Sequence, residues 1–113
     1  MSLDKYQKRA AEFDLFESSV DLKSPGFLEK VLGIAGEAGE VADKVKKIIR
    51  DKSGYASDDD KAAIAKELGD VLWYVANVAR YLGVPLSKIA DGNIDKLSSR
   101  KKRNKLHGEG DDR

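Results

Sequence analysis

Apolar positions recur along this chain at intervals of three and four, the spacing of helices with one buried side, and strand-like alternation is missing. The pattern predicts four helical segments. The first runs from about Leu3 to Phe16, with Tyr6, Ala10, Phe13 and Phe16 as its apolar edge. Asp21 to Gly26 reads as a connector, and Ser24-Pro25 as a start signal, since serine caps and proline suits the first turn. The second helix carries Phe27 to about Lys52, with a stripe of Val31, Ile34, Ala38, Val41, Val45 and Ile48.

Ser53 to Ser57 breaks the pattern, and Asp58 or Asp59 can cap a third helix reaching about Leu82. Its seam is Ile64, Leu68, Val71, Val75, Val78 and Leu82. Gly83 stops it and Pro85 restarts the chain. A fourth helix, about Leu86 to Arg100, carries Leu86, Ile89, Ala90, Ile94 and Leu97, with Gly92 weakening its middle. The expectation is an all-α bundle of four to five helices in a single domain over 1–104, with 105–113 a flexible tail.

The third helix is apolar almost all round. Trp73 falls roughly opposite Ile64 on a helix turning about 100° per residue. The preferred reading is a second packing partner in another subunit; the alternative is that the first helix covers the indole.

Composition narrows the chemistry. The 113 residues contain no cysteine and a single histidine, His107, so disulfides, zinc thiolates and thiol nucleophiles are excluded. A net charge of +1 offers no global field for nucleic acid or membrane. The block Arg100 to Lys105 is short and lacks interleaved aromatics, so nucleic acid is not an expected partner. No stretch reaches the roughly 20 apolar residues that span a bilayer. Met1 to Lys5 lacks the order of a signal peptide, so the expected compartment is the cytoplasm.

What remains is carboxylate chemistry. Glu37/Glu40 and Glu67/Asp70 share a three-residue spacing, which places each pair on one helix face. Taking Ile34 and Ile64 as references, both pairs lie about 60° and 120° to the same side of their seams. Two packed helices can bring them together. Two carboxylates 4 Å apart repel by about 4 kcal/mol at an effective dielectric near 20, so four that converge call for a cation. An all-oxygen set suits Mg²⁺, with Mn²⁺ as a substitute. Gly36, Gly39 and Gly69 beside the acids suggest close approach by a ligand or another helix, and Tyr74, Asn77 and Tyr81 continue the flank. On the fourth helix Asn93, Lys96 and Arg100 lie within about 60° and can hold a polyphosphate.

These motifs resemble the MazG-type nucleotide pyrophosphohydrolases. The resemblance rests on Gly33 to Val41, with its Glu-x-x-Glu, on Glu67 to Tyr74, with its Glu-x-x-Asp, on Asn93 to Leu97 with Arg100, and on the closing Gly108 to Asp111. It implies an all-α fold completed by homodimer or homotetramer formation. It implies Mg²⁺-dependent cleavage of nucleoside triphosphates between the α and β phosphates, in a house-cleaning role on deoxynucleotides. Glu37, Glu40, Glu67 and Asp70 would be metal ligands and catalytic acids, Lys96 and Arg100 phosphate contacts, Asn93 a nucleotide contact and Tyr74 the base-stacking ring. Where some members carry a further Glu this chain has Gly36, which leaves the number of metals open. Glu37 and Glu40 are equal candidates for general base. The alternatives are a related all-α hydrolase of dUTP or of a phosphoribosyl-nucleotide, and a non-catalytic helical interaction module.

Overall fold

The computed structural model describes residues 1–16, 21–104 and 108–111. They form α1 (Leu3–Ala10), a 3₁₀ turn (Ala11–Phe13), α2 (Pro25–Lys52), α3 (Asp58–Tyr81) and α4 (Leu86–Lys102). The all-helical expectation holds for these residues. The first helix is shorter than expected, because the chain tightens at Ala11 and extends at Asp14.

Local signals explain most of the helix ends. Ser24 accepts from the Phe27 amide ahead of Pro25. Ser57, not Asp58 or Asp59, caps α3, in a reciprocal box with Asp60. The Asp60 carboxyl sits at about 2, held down by Lys52 and by the Ser57 amide. Left-handed Ser53 and Gly54 turn the chain out of α2, and Gly83, at φ 72°, turns it out of α3. No side chain of its own caps α4. Instead Gln7 accepts from the Leu86 amide at 3.0 Å and Asp4 from the Ser87 amide at 2.9 Å. α1 thus supplies the cap that α4 lacks.

α2 and α3 form a long antiparallel hairpin, and α1 lies across α3 and α4. The cluster of Ala10, Ala76 and Leu86, with Tyr6, Trp73 and Val75 packed on it, joins these three elements. Trp73 belongs to it, and its indole N–H donates to the Ala10 carbonyl at 3.1 Å. α1 therefore covers the indole, correcting the preferred assignment of that face to another subunit. Among the described residues no helix is long and apolar enough to cross a membrane.

The seam of α2 also differs from expectation. Lys30, Gly33, Glu37, Val41, Lys44 and Ile48 face α3, an arc of about 80°. Leu28, Val31, Leu32, Val45 and Ile49 lie outside this arc and are exposed, as are Leu68 and Leu72 of α3. α2 is apolar on two sides, and the hairpin buries the narrower one, which carries the acids. Gly92 sits inside α4 without breaking it. Of the expected tail, residues 105–107, with His107, and 112–113 lie outside the described residues, whereas Gly108 to Asp111 rests against α4 through Asp111.

Candidate metal centre

The hairpin places two of α3's acids opposite one of α2's. Carboxylate oxygens of Glu37, Glu67 and Asp70 lie within 4.8 Å of one another. Glu40, one turn beyond Glu37, is exposed and outside this group, and acts on it through its charge. Partial desolvation pushes the Glu37 carboxyl above its usual value, and the charge of Asp70, a shared hydrogen bond with Glu67 and the charge of Glu40 push it further. Crowded acids that raise the proton affinity of Glu37 are what a cation relieves. The only cation paired with this trio among the described residues is Lys44, 3.7 Å from Glu67. Lys44 thus reaches across the hairpin from α2 to α3. All the donors are oxygens, so the set fits a hard divalent ion and not a thiophilic one.

The glycines beside the acids divide into two kinds. A Cβ on Gly36, Gly39 or Gly69 would meet nothing within 4 Å, so among the described residues no helix packs there. A Cβ on Gly33 would lie 2.2 Å from the Tyr74 ring. That absent methyl lets Tyr74 lie against the α2 backbone, one turn from Glu29 on one side and from Glu37 on the other. Burial raises the Tyr74 hydroxyl's affinity for its proton, and the charges of Glu29 and Glu37 raise it further. Trp73 meets the ring edge-on, with centroids 4.9 Å apart. Tyr74 therefore borders the acids, and can offer a base at most the ring face turned away from α2.

Behind Tyr74 lies a buried ionic network that the sequence pattern did not expose. Lys30 is 1 % exposed and pairs with Asp14 at 2.8 Å and with Glu29. Its ammonium also stands 4.9 Å from the centre of the Phe16 ring. Asp14 further accepts from Arg80 at 2.6 Å and from the Tyr81 hydroxyl at 2.7 Å. Burial alone would raise the Asp14 carboxyl, but bonds from Lys30 and Tyr81 outweigh it and hold the group at about 2. Arg80 in turn donates to Asn77. Asn77 and Tyr81, expected beside the acids, serve this network instead. The available signal was Lys30 itself, a lysine on the same face as Gly33 and Glu37. Tyr6 was also missed: burial and then the charge of Asp70 raise its hydroxyl, which places α1 at the edge of the site.

The phosphate-binding candidates stand apart. Asn93 is exposed, Lys96 pairs with Asp111 at 3.0 Å, and Arg100 is buried, donating to the Asp111 backbone carbonyl and side chain. Arg100 Nε finds no partner among the described residues. No described hydrogen bond or ion pair joins these three residues to the acids.

The chain is 43% identical over 114 aligned residues to the Gene 37 protein of Mycobacterium phage L5, with the whole of both chains covered. No solved structure gives a significant match. The profile of the MazG nucleotide pyrophosphohydrolase domain matches residues 27–104, a span holding all four acids, Tyr74 and the α4 basic pair, and the chain belongs to that family.

Proposed function

We propose that this protein is a Mg²⁺-dependent nucleoside triphosphate pyrophosphohydrolase that clears deoxynucleotides in the cytoplasm. The observation that carries the reading is the convergence of Glu37, Glu67 and Asp70 from two helices, beside open glycine surface. Those three residues would hold the ion, which when bound neutralises phosphate charge and makes water more acidic. Water attacks the α-phosphorus, the bond from that phosphorus to the oxygen bridging the β-phosphate breaks, and pyrophosphate leaves. Glu40, exposed and outside the trio, would take the water's proton. Tyr74 would offer the base the ring face turned away from α2. Lys96 and Arg100 already hold one carboxylate, that of Asp111, and an incoming phosphate would replace it on the same donors. Asn93, nearby on α4, is the candidate contact to the nucleoside.

The active unit is a homodimer or homotetramer. Two observations support assembly: the apolar stripe left exposed on α2 and α3, and a radius of gyration of 16.9 Å, against about 13 Å for a compact chain of this length. Incubation with Mg²⁺ and a panel of canonical and modified triphosphates tests the function. Monophosphate and pyrophosphate in equal amounts are expected, with deoxynucleotides preferred and release abolished by chelator. Orthophosphate as the product, or no turnover of any triphosphate, overturns the reading.

A further inference from the structure

One cavity lies directly beside the acids and is not used by the groups considered so far. It is an open pocket of about 260 Å³ between α2 and α3, lined by Lys44, Lys47, Ile48, Asp51, Lys52, Asp60 and Ala63. Lys44 stands one helical turn beyond Glu40, and Ala63 one turn before Glu67, so the pocket continues the acidic cluster along the hairpin. It is smaller than the roughly 300–1,000 Å³ of sites that enclose drug-sized ligands, which suits a small anion better than a nucleoside.

Its lysines differ in one respect. Lys47 is held by Asp43 at 2.7 Å and Lys52 by Asp60 at 2.8 Å, both outside the acidic trio. Asp51 is neutralised by Arg50 at 2.8 Å. Lys44 alone of the three leans on a carboxylate of the trio, Glu67, and only at 3.7 Å. A divalent ion drawing on Glu67 competes for that carboxylate, and the ammonium so released lines a pocket whose other charges are already matched. Small Ala63 leaves the opposite wall open.

We propose that Lys44 and this pocket form the subsite for the pyrophosphate moiety, holding the β and γ phosphates of the substrate and then the released pyrophosphate. The assignment rests on the pyrophosphohydrolase reading above. It divides the anion between two places: the basic pair of α4 and a lysine that exchanges partners as metal and substrate arrive.

The test uses the full-length protein, with Lys44→Gln, Lys44→Arg and the pocket-filling Ala63→Leu. Calorimetry measures Mn²⁺ binding to each protein alone, then inorganic pyrophosphate binding in the presence of Mg²⁺. Lys44→Gln is expected to bind Mn²⁺ at least as tightly as wild type, since a competing cation is gone, and to bind pyrophosphate about ten-fold more weakly. Lys44→Arg recovers most of that loss, and Ala63→Leu reproduces it with Lys44 intact. A lysine that only tethers α2 to α3 would weaken metal and pyrophosphate binding together, and that result overturns the proposal. So does pyrophosphate binding equally to wild type, Lys44→Gln and Ala63→Leu while wild type hydrolyses triphosphates. A wild type that neither turns over triphosphates nor binds pyrophosphate removes the underlying reading and this subsite with it.

Discussion

Glu37 shows how a single side chain trades stability for chemistry. Its carboxyl sits above the usual value through desolvation and the nearby acids, so in the folded chain its ionised form is disfavoured. A folded-state value above the unfolded one means that ionisation costs stability at neutral pH, and that the cost is relieved as pH falls through the raised value. Glu37→Gln is therefore expected to melt at or above wild type at pH 7 without metal, and that gain closes in acid. The same variant is expected to lose the rise in Tm that Mg²⁺ should give wild type. Thermal melts with and without metal at two pH values check both halves. That Glu37 could meet acids of the third helix was legible from its spacing to Glu40 and the matching pair there. The role of Gly33 was not: its value lies in a tyrosine ring forty-one residues away in sequence.

At the scale of elements, the wheel of α2 allowed two buried faces and the hairpin took one. The choice follows from what else that face carries. Lys30 lies on it, and Asp14 and Glu29 provide the partners that make its burial tolerable, while Arg80 and Tyr81 complete the contacts of Asp14. The network ties the extended stretch after α1 to both long helices, so it fixes where Phe16 and Tyr74 sit. Asp14→Asn is expected to cost about 3 kcal/mol at pH 7, the lower end for breaking a buried pair, because Glu29 still touches Lys30. The sign with pH follows from the depressed carboxyl. Its contribution is full above the ordinary value of 3.8 and fades as pH falls toward about 2. Denaturant titrations at pH 7, 4 and 2.5 should show the gap between wild type and variant narrowing in that window. Helix ends, by contrast, were mostly local and readable; the exceptions are the early end of α1, the Ser57 cap of α3, and α4, which Gln7 and Asp4 cap from a distant part of the chain.

The whole molecule is open for its size. Few apolar side chains are fully buried among the described residues, and Leu32 and Ile49 on α2 are 61 % and 64 % exposed. A second hairpin laid on this stripe would complete a four-helix layer of the kind that small helical chains form. Light scattering is accordingly expected to give at least twice the 12.4 kDa of one chain. Leu32→Glu with Ile49→Glu should shift it to one chain and reduce activity, with the carboxylate cluster unaltered. A single-chain mass for the wild type would refute the assembly. Self-association was inferred in the sequence from Trp73, yet the structure places the open surface on the other side of the hairpin.

Periodicity, capping residues and the paired acids determined from sequence alone that the chain is helical, about where its helices begin and that acids of two helices could meet, but not that Glu40 would stand outside the group. Those features are local: each depends on residues within one or two turns, where backbone hydrogen bonding and side-chain spacing decide the outcome. Which face of α2 turned inward, what covered Trp73, and that Lys30 could be buried at all were decided by tertiary structure. The reason is that each depends on a partner far along the chain, and the free energy of burying a charge is set by the groups that meet it after folding.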